Sequence, residues 1–388
     1  MHDVEYVHRI DRENLMAERI AHTTWSRAVL IGVGAAIAIG VVVLAFLWPT
    51  VTATPHNLPV AISGPSAQVS AVKKALDEKA SGTFKLTTVD SRADAVSGIK
   101  KRTYDGGIIL GSAPEVLTAS AASAVVTQMM TEVQTVIQAQ TNAAIQQEVQ
   151  AKAQAAAAQG ATGAQVLQAL GAAPTVTVKL TDVVPLASTD SRGTGMAASA
   201  FPLALGGMIG GVLISLLVTG VWRRLTAAVI YAVGAGFAVV SVLQPWFGVL
   251  QGDYLANVAA MALSVFATAS FIVGMNALIG PAGIAVGAVV TIFVGNPLSS
   301  ATQPPQFLVG GWGEVGQWFV PGAAGTLLRD LSYFPQASIA FPLLVLASWS
   351  VLGLLLQLFG HFRSREVVHV EGWDDEDAPT AATPVSAA

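Results

Sequence analysis

LTAAVIYAVGAGFAVVSVLQPWF, residues Leu225 to Phe247, carries no formal charge and is long enough to cross a bilayer as one helix. Spanning takes roughly 20 predominantly apolar residues. The same character extends outward: between Arg224 and Glu314 the one formal charge is Asp253. Charged residues make up 11% of the chain and mean hydropathy is +0.59, against about 25% charged in a soluble domain. A water-soluble fold cannot hide so long an apolar stretch, so a bilayer is its natural solvent.

Five more stretches share the property. Residues 28–48 form the first, and an uncleaved anchor fits better than a signal peptide. A signal peptide's apolar core is about 7–15 residues behind a short basic start. Here the core is longer, and the 1–27 tail mixes four arginines with five acids. Met196–Trp222, closed by Arg223-Arg224, is the second span. Leu225–Phe247 is the third, Leu255–Ile279 the fourth, Pro281–Val294 a short fifth and Ile339–Phe359 the sixth. The expected fold class is a six-helix membrane bundle whose five-helix part occupies residues 196–360. Residues 49–195 form an extracytoplasmic α/β domain, and 361–388 an acidic, solvated tail.

Arginine placement orients it. Arg9, Arg12, Arg19 and Arg27, then Arg223 and Arg224, then Arg363 and Arg365 fall on one side if there are six spans. Short basic flanks stay cytoplasmic. Both termini are therefore expected inside a bacterial cytoplasmic membrane, with the large domain outside.

In that domain, Leu58–Ile62, Phe84–Val89 and Gly107–Leu110 read as strands, with helices at Ser66–Lys79 and Ala93–Thr103 between them. Such alternation indicates a small α/β layer. Residues 119–158 hold no Pro or Gly and read as one long helical arm. Val125, Met129, Val133, Ile137, Ile145 and Val149 mark its apolar side. Ala164–Leu170 reads as a return turn and Thr175–Leu180 as a strand.

Absences exclude several chemistries. The chain has no cysteine, hence no disulfide or thiolate site. It has no Gly-Lys-Ser or Gly-Lys-Thr, hence no P-loop of its own. Its six histidines show no metal-ligand spacing, and no nucleophile elbow occurs. No enzyme activity, bound cofactor or metal is expected of this chain. A net charge of −4 gives no reason to expect nucleic acid.

Other features concern packing and partners. Gly206 with Gly210, Gly207 with Gly211, and Gly283 with Gly287 would let helix backbones approach closely, within the bundle or between subunits. Gln244, Asn257, Asn276 and Asn296 are polar but neutral, suited to helix–helix hydrogen bonds or to substrate. A pathway without fixed charge suits apolar or amphipathic cargo better than a bare ion.

Residues 296–337 are apolar and aromatic yet punctuated by Asn296-Pro297, Pro304, Pro305 and Pro321-Gly322. They read as a re-entrant element dipping into the membrane before the last span, with Trp312 and Trp318 at headgroup level. Arg19 and Trp25, on a possible amphipathic helix, and the Arg223-Arg224 turn are where a cytoplasmic partner could push.

Three patches carry a resemblance. Gly98–Leu110 (GIKKRTYDGGIIL), Val184–Gly193 followed by Leu205-Gly-Gly-Met, and Asn296-Pro297 through Pro321-Gly322 to Leu327-Leu328-Arg329 are similar to stretches of the YhgE/Pip (phage-infection-protein-like) branch of type-2 ABC exporter permeases. Ser191 departs from the proline often found there. The resemblance implies a dimeric permease, homodimeric or heterodimeric, with ATP and Mg bound by a separate P-loop ATPase. The alternative expectation is a non-transporting scaffold or receptor, a secretion-system component or phage receptor, whose outer domain binds a cell-envelope protein.

Overall fold

A computed structural model describes residues 23–160, 162–164 and 176–363. Arg19 and the rest of the N-terminal tail, the expected return turn beyond Ala164, and the acidic tail lie outside these residues. The chain divides into two units, Met1–Thr52 and Ala53–Ala388. In the first, helix α1 (Trp25–Val51) is apolar on every side from Ala28 to Trp48, and its Val29, Leu30, Ile37 and Leu44 are all exposed. A helix apolar all round is a membrane span rather than a half-buried surface helix.

The second unit opens with a mixed sheet. Its elements are β1 (Leu58–Ser63), α2 (Ser66–Lys79), β2 (Phe84–Thr88), α3 (Arg92–Lys100), β3 (Gly106–Ile109), β4 (Glu115–Thr118), α4 (Ala124–Ala158) and β5 (Lys179–Asp182). Among the described residues five strands lie in the order β2-β1-β3-β4-β5. β1 is parallel to β2 and β3, β3 is antiparallel to β4, and β4 is parallel to β5. β4 was not anticipated: it is four residues long and opens with Glu115. That carboxylate is buried because Arg92 Nε and Nη2 grip it at 2.5 and 3.1 Å and Thr181 donates to it. β5 sits later than the expected Thr175–Leu180.

α4 starts at Ala124, where Ser123 accepts from Val126 N at 3.3 Å; the expected start was residue 119. Its packed face is Val126, Met130, Val133 and Ile137, whereas Val125 is exposed. Expecting Val125 on that face was an error of register, while Met129 is half-buried and packs against the core. A stripe of strict fours drifts off one side of a 3.6-residue helix, and alternating steps of four and three hold it. Gln134 and Gln138 fasten the arm to the extended segment leading into β5, donating to Val178 O and Val176 O at 2.8 and 2.7 Å.

The helices follow. The longer ones are α5 (Thr194–Leu217), α6 (Val221–Ser241, prolonged by a π-helical turn to Trp246), α7 (Tyr254–Ile279), α8 (Pro281–Ala288, prolonged through a π-helical stretch to Leu298), α9 (Val320–Tyr333) and α10 (Ala340–Arg363), with one short helix, Trp312–Gly316, between α8 and α9. Among the described residues six helices, these longer ones except α9 and with α1 included, are long and apolar enough to cross a membrane. This is a membrane-associated protein.

α7 is the hub, packed by α5, α6, α8, α9 and α10. It is rich in Ala, with Ser264, Ser270 and Gly274 also buried, and small side chains let neighbours close in where lipid supplies no hydrophobic drive between helices. α5 ends at Leu217, short of the expected Trp222. The break is Gly220, at φ 87°, so Arg223 and Arg224 lie in the first turn of α6 and not in the turn between helices. The apolar run continued through Val218–Trp222 and concealed that boundary.

Candidate functional site

α7, α9 and the segment that follows the π-helical stretch line a cavity in the bundle. It measures about 60 Å³ and is lined by Ser264 and Thr268 of α7, Asn296, Ser299 and Ala301 beyond the π-helical stretch, and Pro321, Ala324 and Leu328 on one face of α9. No lining side chain carries a charge. Ser264 Oγ donates to Ala260 O at 2.7 Å, Thr268 Oγ1 to Ser264 O at 3.2 Å and Ser299 Oγ to Asn296 O at 2.6 Å. Each hydroxyl proton is thus committed to the chain's own carbonyls, as is usual for Ser and Thr in apolar helices. What these hydroxyls offer the cavity is lone pairs.

The irregular wall is held by polar bonds of its own. Gln317 Nε2 donates to Ser299 O at 3.0 Å and Thr326 Oγ1 to Gln317 Oε1 at 2.7 Å. Gly316 packs so tightly against the Leu298 carbonyl that a Cβ would overlap it. Ser300 turns the chain at φ 55°, and its buried Oγ has no partner. A non-glycine residue in this left-handed region costs about 1–2 kcal/mol, and such strain gathers at functional sites.

Next to the cavity the helices meet the sheet. Arg329, on α9, donates from Nη2 to Ala301 O at 3.1 Å. Its neighbour Asp330, 3% exposed, accepts from Arg102 Nη1 at 2.6 Å. The Arg102 guanidinium also lies 5.4 Å from the Phe334 ring centre. Phe334 is buried within the sheet domain's core beside Ala61, Ile99 and Leu117. Phe307 is buried in the domain's other core cluster with Leu58 and Val60. Each such burial contributes about 1.5–3 kcal/mol. The aromatic content of residues 296–337 therefore divides. Phe307 and Phe334 go to the sheet domain, while Trp312 and Trp318 stay exposed, Trp318 resting edge-on against Phe341 of α10.

Arg102 owes its position to the end of α3. Thr103 N donates to Gly98 O at 2.8 Å and Arg102 N to Ile99 O at 2.9 Å, a paired C-terminal cap that usually places glycine at its left-handed residue. Here that residue is Arg102, at φ 58°. Gly98 is needed in the same turn because the Tyr104 ring occupies the space a Cβ would fill. Asp105 follows, half-buried, its Oδ2 enclosed without a partner. Burial pushes its carboxyl up to about 6, opposed by the Arg102 charge.

The other singled-out residues fall elsewhere. Trp25 is exposed in the first turn of α1 and Arg223 is exposed in the first turn of α6. Arg224 is half-buried and reaches back to cap α5, donating to Val218 O and Ser215 O at 2.7 and 3.1 Å. Of the four neutral polar residues, Asn296 lines the cavity. Gln244 and Asn257 bond each other at 2.9 Å, and Asn276 donates to Ser215 O at 3.4 Å. Gly207 and Gly211 meet α7, Gly210 meets Tyr231, Gly283 meets Met275, and Gly287 meets Ile272; Gly206 faces open space. Pro304 is buried, and Pro297 and Pro305 are half-buried in the segment leading from α8. The Arg102–Asp330 pair had no counterpart in the sequence reading.

No protein-family model, curated protein or solved structure matches the chain. The class that the fold and site define is a membrane-associated, mostly helical protein with a small mixed α/β domain and a cavity whose lining carries no charge.

Proposed function

We propose that this chain is the permease subunit of an exporter, carrying an uncharged or amphipathic molecule outward while a separate P-loop subunit hydrolyses ATP. The observation that carries the proposal is the cavity: it lies against the middle of α7, between Ser264 and Thr268, and presents acceptors without fixed charge. Such a lining receives a hydroxyl or amide donor and gives a phosphate or carboxylate no counter-charge. The π-helical interruption of α8 beside it is the kind of irregularity that recurs at functional sites in helices. The arginine distribution supports cytoplasmic termini and an outward-facing sheet domain, with residues 296–337 re-entrant at the outer leaflet. The resemblance to YhgE/Pip-like permeases points the same way, and it implies a dimer.

Purification from the native membrane tests the partner: a stoichiometric P-loop ATPase is expected. Filling the cavity with Thr268→Leu should abolish cargo movement in vesicles while leaving insertion intact; undiminished transport by that variant would refute the role given to the cavity.

One observation favours a second reading, a scaffold or receptor. α4 runs for 35 residues, about 50 Å at 1.5 Å per residue, well past strands of four to six residues. Recovery of envelope proteins in place of an ATPase, with loss of that recovery on shortening α4 beyond Gln138, would select it.

A further inference from the structure

We propose that Arg329 and Asp330 form a two-sided joint through which the sheet domain controls access to the cavity, closed while Asp330 is paired with Arg102. Consecutive residues at the end of one helix grip different bodies. Arg329 holds the carbonyl of Ala301, a cavity-wall residue. Asp330 holds Arg102, at the turn between α3 and β3. On the same helix Leu328, immediately before Arg329, and Ala324, a turn before that, line the cavity itself. One residue beyond its end, Phe334 is sunk in the sheet domain's core. α9 is therefore clamped at one end by the sheet domain and forms the cavity wall along its length. A displacement of the sheet domain must move that wall.

Three details argue for a joint that works rather than a passive contact. Arg102 occupies a left-handed position that glycine would fill without strain, so what favours arginine there is its side chain. Asp105 lies three residues on with an enclosed, unpartnered oxygen, and Arg329 Nε is likewise enclosed without a partner. Closely packed interfaces respond in discrete steps rather than by graded deformation. A half-satisfied set of charges is also the least stable way to close one permanently.

The chain's lack of cysteine provides a readout that needs neither cargo nor ATP. Thr268→Cys places one thiol in the cavity of the full-length protein in liposomes, and its alkylation rate by a small maleimide measures access. That rate should rise about tenfold or more when Arg102→Gly or Asp330→Asn is added, because releasing a largely buried ion pair shifts a two-state equilibrium at least that far. Arg102→Gly suits the backbone and keeps the α3 cap, so faster labelling in that variant reflects the lost side chain. The exchanged pair Arg102→Asp with Asp330→Arg should bring the rate back towards its starting value. Unchanged labelling in both single variants overturns the joint. So does faster labelling that the exchange fails to reverse, which would leave Asp330 a purely structural residue. Because labelling needs no transport, unchanged labelling overturns the joint whether or not the exporter proposal holds.

Discussion

Arg102 and Asp330 are 228 positions apart in the chain and 2.6 Å apart in space, their side chains 23% and 4% exposed. The pair joins the end of a sheet-domain helix to the end of a bundle helix. The direct cost of taking two charges out of water is offset here by a short hydrogen bond and by the Phe334 ring beneath the guanidinium.

Asp330→Ala should lower stability by about 3 kcal/mol, near the lower end for a broken buried pair because Arg102 keeps some access to water. Arg102→Met alone should cost less, since its removal leaves a carboxyl that protonation can neutralise. A double-mutant cycle followed by thermal unfolding in detergent measures the coupling. A coupling energy near zero would show that the two side chains stabilise independently.

Asp105 gives the joint a pH dependence of definite sign. Its carboxyl titrates at about 6 in the folded chain against 3.8 for a free carboxyl, so the folded state binds the extra proton between those values. Its contribution to stability is complete below the unfolded value and is lost as pH rises through about 6. Arg102 is the charged group acting on it. Asp105→Asn, fixed in the neutral form, should remove this dependence and raise stability at pH 7.5 by about 1 kcal/mol. Melting curves for the two proteins should differ most at neutral pH and converge only as pH falls below the unfolded value of 3.8.

Glu115 carries the opposite sign. Its hydrogen bond to Arg92 holds the carboxyl below its usual range, and Thr181 and the nearby positive charges act in the same direction against the effect of burial. The stabilisation is present above the unfolded value and is lost as pH falls through the lowered one. Glu115→Gln should flatten the acid limb of sheet-domain unfolding and cost about 1–2 kcal/mol at neutral pH. Circular dichroism of the strand signal under acid titration checks it.

Ser300→Gly should stabilise the chain by about 1 kcal/mol, relieving a left-handed residue and removing a buried hydroxyl without a partner. A melting point that fails to rise would mean that the Ser300 backbone is not strained.

The sequence made local order legible and long-range order nearly invisible. Apolar runs announced the helices long enough to cross a membrane, because such a run must come in one piece, and Ser66–Lys79 announced α2 through Val69, Val72 and Leu76, all buried. β4 escaped because Glu115 is an acid in a four-residue strand, neutralised by an arginine 23 positions away. The end of α5 escaped because one glycine, Gly220, interrupts an otherwise continuous apolar run. Asn296 and Pro321 were marked as part of an unusual segment and do line the cavity. Ser264 and Thr268 were not, since small hydroxyl residues in a long apolar helix look like ordinary packing. Arg329 entered only as the end of one patch of the resemblance, and nothing near it in sequence pointed to Arg102.

The burial of Phe307 and Phe334 in the sheet domain has a consequence for biogenesis. A ribosome delivers the five strands long before either phenylalanine exists, so the nascent domain emerges with two apolar sockets unfilled. They can be plugged only after most of the bundle has been synthesised, which makes completion of the sheet domain a late step of membrane integration. A chain truncated before residue 307 would keep every strand yet expose both sockets, a mark by which envelope quality control could tell an unfinished molecule from a finished one.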